Sequence, residues 1–192
     1  MREEASTPYE KPNEGPSSLS TVQPVRPEAQ AYEAFNIDQE TFDVDVKRLD
    51  RTFRQLQTQL HPDKFASNSP VEQEHAANQS AFVNGAYSTL KDPLARAYHL
   101  LGRKGGSDGQ GGEATIEDPE LLMVVMETRE QIEEAASPVE LQQLQKDNAA
   151  KQTDCVQKLG AAFAANDLKV AEEFVTQLRY LRTAGDAISL KL

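Results

Sequence analysis

Pro62 constrains this chain more than any other residue. It lies in Leu60-His61-Pro62-Asp63-Lys64, and its ring removes an amide donor and clashes with the preceding helical turn. A helix that approaches it must stop. On its N-terminal side Val46, Leu49, Phe53, Leu56 and Leu60 recur at spacings of three and four, one apolar face of a helix. On its C-terminal side Ser69-Pro70-Val71-Glu72 reads as a capping box with proline at the first helical position. The apolar face that follows is Ala76, Val83, Ala86, Tyr87 and Leu90. The pattern predicts two helices joined by a His-Pro-Asp loop, the first capped by Asp43 with Asp45 in its first turn.

The first of these helices carries a stripe of cations. Lys47, Arg48, Arg51 and Arg54 are four of the seven Lys and Arg between residues 31 and 102, a segment with ten Asp and Glu. The whole chain has a net charge of -11, which argues against general nucleic-acid binding, since that needs a basic surface. A cationic stripe in an acidic protein is either a solvated face or a dock for an acidic partner, which charge would steer and select.

The remainder of the chain reads as helices and their interruptions. Residues 1–29 hold five of the ten prolines, few large apolar groups and an excess of acids, which predicts a disordered acidic tail. Tyr32, Phe35 and Ile37 open the ordered region with a short helix. Asp92-Pro93 caps a helix with Leu94, Ala97, Tyr98 and Leu101 inward. Gly105-Gly106 and Gly111-Gly112 mark a flexible linker over 104–117. Asp118-Pro119 and Ser137-Pro138 each start another helix. Leu141, Leu144, Cys155, Leu159 and Phe163 face inward on the second of these, which Asn166-Asp167 breaks. Val170, Phe174, Leu178, Leu181 and Ile188 face inward on the last. The reading is all-α: a helical hairpin domain over 30–103 and an antiparallel three-helix bundle over 118–192.

The helix from Pro119 has more apolar residues than one face can bury. Leu121, Val125 and Ile132 make a core stripe, leaving Leu122, Met123 and Met126 angled away beside Glu127 and Glu130. Tyr180 also lies off the stripe of its helix. An apolar patch with a charged rim suits a protein-binding surface, and methionine suits an adaptable contact. The same residues would also serve to pack beneath the first domain, and both readings stand on pattern alone.

Helix, His61-Pro62-Asp63 loop, helix, with cations on the first helix, resembles a J-domain. A longer set of residues narrows this. Gln57 to Leu90, with His61-Pro62-Asp63-Lys64-Phe65-Ala66-Ser67 and Val83-Asn84-Gly85-Ala86-Tyr87-Ser88-Thr89-Leu90, resembles the HscB family. So do Asp92 to Leu101, Leu122-Met123 to Glu130, and Gln177-Leu178-Arg179-Tyr180-Leu181. The resemblance covers nearly everything from Tyr32 to Leu192. It implies an iron-sulfur co-chaperone with an L-shaped pair of domains, a J-domain and a C-terminal bundle. Such proteins deliver an IscU-type scaffold to a DnaK/HscA-type chaperone and stimulate its ATPase. By position, the chaperone contacts are His61, Pro62, Asp63, Lys47, Arg48, Arg51 and Arg54. The scaffold contacts are Leu122, Met123, Met126, Glu127, Glu130 and Tyr180. Three positions depart from the family pattern: Asn36 stands where glycine is usual, Ala31 replaces an aromatic, and Gly85 replaces a longer helix former. The cysteine-rich zinc module of some animal members has no counterpart in this sequence.

Other readings find less support. For an enzyme, His61 would need a pocket, a nucleophile and oxyanion donors, and no motif supplies them. Cys155 sits on an apolar helix face, where a thiol is inert. Three His, one Cys and no His/Cys cluster give no zinc spacing, so no metal and no cofactor are expected. No run of 18 apolar residues occurs, so no membrane span is expected. A J-domain protein for general clients, or a helical adaptor without chaperone activity, are the alternatives. The expected compartment is the mitochondrial matrix for a eukaryotic source, although no Arg-rich, acid-poor transit peptide is evident, or the cytoplasm otherwise.

Overall fold

Four prolines stand at the starts of four α-helices. The computed structural model describes residues 31–37, 40–106 and 119–192, and among these every regular element is helical. The α-helices are α1 (Ala31–Ala34), α2 (Val46–Gln59), α3 (Pro70–Lys91), α4 (Pro93–Lys104), α5 (Pro119–Glu134), α6 (Pro138–Ala164) and α7 (Leu168–Lys191). One 3-10 turn, Pro62–Lys64, joins α2 to α3. Helices α3, α4 and α6 begin at a proline behind Ser69, Asp92 and Ser137, whose side chains accept the amides of Glu72, Ala95 and Glu140. Each such cap contributes ~1 kcal/mol. The tail, the cap expected at Asp118 and the segment 107–117 lie outside the described residues.

Two local expectations need correction. Asp45, not Asp43, caps α2, accepting the Arg48 amide at 3.0 Å. Asp43 sits one step too early, where its own amide donates to Thr41 Oγ1. The Gly105-Gly106 pair is a helix stop rather than loose chain. Gly105 takes φ 81° at the end of α4, and the Gly106 amide returns to the Leu101 carbonyl at 2.9 Å. A Cβ on Gly106 would meet Leu101 at 3.0 Å and Glu172 at 3.1 Å. Asn36, the departure from the expected glycine, has φ 54°, and asparagine is the residue that best tolerates that left-handed region after glycine. Asn166 does the same at φ 55° and ends α6.

The hairpin of α2 and α3 closes on a ring pair. Phe53 and Tyr87 stack at 3.8 Å and 8°. The Tyr87 hydroxyl donates to Asp50 at 2.8 Å and accepts from Lys91 at 2.6 Å. Leu49 and Leu90 are fully buried, while Val46, expected on the inner face, is exposed. On α4 the buried residues are Arg96, Ala97, Leu100 and Leu101; Leu94 and Tyr98 are only half-buried. The inward arc is shifted because α4 is clasped between α3 on one side and α7 on the other.

That clasp joins the two halves in one core. Phe42 stacks on Phe163 of α6 at 5.3 Å and 16°, and its ring lies against Gly160, where a Cβ would come to within 3.4 Å, an ordinary contact. Arg96 lies over the other side of this assembly, 5.2 Å from the Phe42 ring. Its guanidinium donates to the carbonyls of Phe42, Leu90 and Lys91. Burial lowers its pKa, and those three carbonyls satisfy the donors. Asp92 accepts from Ala95 N and from Arg182 of α7. In the bundle, Ala171, Val175, Leu178 and Ile188 are the buried residues of α7, displacing Val170, Phe174 and Leu181 to half-buried positions. Ala171 is wholly enclosed because α7 has to receive both α4 and α6. A smaller cluster of Ile132, Leu141 and Ile188 secures the far end of α5.

Candidate functional site

The His61-Pro62-Asp63 loop is exposed and ordered by its own backbone. His61 is the cap of the 3-10 turn, with its Nδ1 accepting the Asp63 amide at 3.3 Å. The Lys64 and Phe65 amides return to the carbonyls of His61 and Pro62 at 3.0 and 2.9 Å. Pro62 at the first position of the turn supplies the fixed φ. The His61 and Asp63 side chains approach at 3.6 Å, and both point to solvent. One residue of the site escaped sequence reasoning. Gln73, from α3, donates from Nε2 to the carbonyls of Ala66 (3.3 Å) and Asn68 (3.0 Å) and so ties the loop to the helix behind it. A solvent-facing glutamine gives no signal in a hydropathy pattern.

The cationic stripe runs along exposed α2, one end near the short helix α1. Lys47, Arg48, Arg51 and Arg54 are all exposed. Arg48 is held by the Asn36 carbonyl at 2.9 Å and Arg54 by the carbonyl of Asp50 at 3.2 Å. Lys47, Arg51 and Arg54 surround a shallow depression with Asp45 and Asp50. The Asp50 carboxyl accepts from the Tyr87 hydroxyl, and that bond, with Lys91 and Arg54 nearby, holds it below the usual carboxylate range. Four cations against Asp45 and Asp50 leave the stripe net positive.

On α5 the two readings of the apolar excess separate. Leu122, Met123, Val124 and Met126 are 43%, 72%, 45% and 62% exposed, so they do not pack beneath the first half. Val124 was missing from the expected patch. Glu127 and Glu130 are exposed beside them. The inner stripe is as expected in identity but not in depth: Ile132 alone is buried on α5, with Leu121 and Val125 half-buried. Tyr180 is half-buried on α7 and lines the cleft that separates α7 from α5.

Among the described residues no group of three or more His, Cys, Asp and Glu is placed to hold a metal. Cys155 is buried, and burial pushes its thiol up to about 11. His75 is exposed on α3, and His99 is half-buried against Tyr32 at 6.0 Å. No described helix is long and apolar enough to cross a membrane.

Comparison with known proteins decides the family. Residues 117–189 match the family model of the HSCB C-terminal oligomerisation domain. A co-chaperone protein HscB homolog of Neisseria meningitidis is 38% identical over 167 residues, 85% of this chain and 99% of that protein. The chain belongs to the HscB co-chaperone family. The iron-sulfur cluster co-chaperone protein HscB of the mouse is 30% identical over 174 residues, covering 91% of this chain and 74% of the mouse protein. The crystal structure of human co-chaperone protein HscB superposes with a TM-score of 0.81 at 28% identity, over 96% of this chain and 94% of the human one. As an HscB family member the protein has a co-chaperone role, and its all-helical fold is that of the family.

Proposed function

We propose that this HscB family protein stimulates the ATPase of a DnaK/HscA-type chaperone and delivers to it an IscU-type scaffold during iron-sulfur cluster assembly and transfer. The observation that carries the reading is the pairing of two unlike exposed surfaces on one shared core. One is a cationic helix ending in the His61-Pro62-Asp63 loop; the other is the apolar ridge of α5 with its glutamate rim. In this reading Lys47, Arg51 and Arg54 meet an acidic surface on the chaperone, giving fast, salt-sensitive encounter. The loop then places Asp63 beside a chaperone cation while Pro62 keeps its shape. The protein performs no chemistry itself. It shifts the chaperone toward hydrolysis while the ridge holds the scaffold, so that each binding event favours the other. The proposed compartment is the mitochondrial matrix in a eukaryote and the cytoplasm in a bacterium.

The test uses the full chain, purified IscU-type scaffold and DnaK-type chaperones in steady-state ATPase and calorimetric assays. The expected result is stimulation by the chain alone, larger stimulation with scaffold, and direct scaffold binding. Stimulation without any scaffold binding favours a J-domain protein for other clients. Binding without stimulation favours an adaptor.

A further inference from the structure

The cleft between α5 and α7 has an opening of which the scaffold reading uses only Tyr180. It encloses about 350 Å³ among Leu121, Val125, Ile132, Tyr180, Ala184 and Ala187. Packed helix interfaces hold few voids larger than a water molecule, so this one has a specific cause. The facing groups are short: Ala184 and Ala187 on α7, and on α5 Thr128, whose hydroxyl is turned back to its own helix at the Val124 carbonyl, 2.7 Å away. Helix α5 is pinned at its C-terminal end instead. Ile132 is buried there with Leu141 and Ile188, and Lys191 donates to the carbonyls of Ile132 and Glu133 at 2.6 and 3.1 Å. The N-terminal half of α5 therefore stands off the bundle.

The wall of the cleft is apolar and its rim is cationic. Arg129 from α5 and Lys151 from α6 both line it, and neither has an ion-pair partner among the described residues. The acid on the same rim, Asp154, is engaged by Lys158 at 2.8 Å. In a protein of net charge -11, two uncompensated cations over an apolar slot select a ligand with an apolar body and a carboxylate. The cleft is also continuous with the α5 ridge: Val124 belongs to both.

We propose that the cleft is a second anchoring site for the scaffold, taking one large apolar side chain whose neighbour in the partner sequence is Asp or Glu. This rests on the scaffold reading above. The ridge and the cleft then grip the partner on adjoining faces of α5, the ridge by breadth and the cleft by depth.

The experiment titrates IscU-type scaffold into the full-length wild type, the ridge variant Leu122→Ala/Met126→Ala, the cleft-filling variant Ala184→Leu, and Lys151→Glu, with thermal denaturation of each. Filling the cleft is expected to weaken scaffold binding ~10-fold or more, the effect of losing one anchor residue, with an unchanged or raised melting temperature. Lys151→Glu is expected to weaken it several-fold and needs no core change, so it decides the matter if Ala184→Leu does not fold. Wild-type affinity in a folded Ala184→Leu, or in Lys151→Glu, overturns the proposal while a weakened ridge variant keeps the scaffold reading. Weakened cleft variants beside an unaffected ridge variant support the cleft and remove the ridge from the contact. Sedimentation of wild type and Ala184→Leu completes the set. A wild-type dimer that Ala184→Leu dissolves, with scaffold affinity intact, makes a second copy the occupant and overturns the proposal.

Discussion

The α2 face and the α5 face are opposite in chemical character. The α2 face is charged, lies on a helix locked by the Phe53–Tyr87 stack, and ends in a loop fastened by Gln73. The α5 face is apolar, rimmed by carboxylates, and lies on a helix that only Ile132 buries firmly. The first suits an encounter that must be fast and reversible, since exposed charge acts at long range but is screened by salt. The second suits a contact that must be retained, since desolvated apolar anchors supply most of the energy of an interface. Both faces rest on the shared core of Phe42, Arg96 and Phe163, so under the proposed function one core would carry both contacts.

The strongest way to break this comparison is at the loop. His61→Gln is expected to abolish chaperone stimulation without altering circular dichroism or scaffold affinity, because the side chain is exposed. Stimulation that survives removes the loop from the mechanism. Next is the ridge. Leu122, Met126 and Tyr180 changed together to Ala should cut scaffold affinity by a factor of hundreds, at ~2 kcal/mol for a hot-spot residue. Basal stimulation without scaffold should remain. Loss of both activities in a folded variant would show that the two faces are not separable. Replacing Arg51 and Arg54 with Ala should weaken stimulation several-fold at low salt, with the difference shrinking as ionic strength rises and the Debye length falls below about 10 Å. Scaffold binding at the ridge should respond far less to salt, and an equal salt response would erase the distinction.

Smaller effects test the core that joins the faces. Asp92 caps α4 and binds Arg182. Burial raises its pKa, but the Arg182 and Ala95 hydrogen bonds outweigh it and hold the carboxyl below the usual range. A folded pKa below the unfolded value gives stability that is present above about pH 4 and lost as pH falls through the folded value. Asp92→Ala should therefore cost ~1–2 kcal/mol near neutral pH, allowing for its partial exposure. The gap to wild type should narrow in acid denaturation below that pH. Gly85 lies mid-helix in α3 with nothing within 4 Å of a Cβ placed on it. Gly85→Ala should stabilise by about 0.5–1 kcal/mol in a denaturant melt and leave both activities unchanged. Nothing in the structure explains why glycine stands there.

Much of this protein was fixed locally. Helix starts at Ser69-Pro70, Asp92-Pro93 and Ser137-Pro138 were legible because caps and proline act within one turn of chain. The His61-Pro62-Asp63 loop and the cation stripe were legible for the same reason, and so was the apolar surplus of α5, since a helix buries only one stripe. Whether that surplus packed beneath the first half was decided only by tertiary structure, which turned Leu122, Met123, Val124 and Met126 outward. Phe42 was invisible as a core residue: it stands alone in a loop without periodicity, and only its meeting with Phe163, Gly160 and Arg96 gives it a role. Arg96 itself reads as a surface cation, yet it is buried because the carbonyl of Phe42 and those of consecutive Leu90 and Lys91 converge there. Ala171 and Ala184 show the same limit from opposite sides. Both are small residues on α7; one is enclosed by α4 and α6, and the other leaves a cleft. Periodicity says which way a side chain points, and the distance between helices says what it meets.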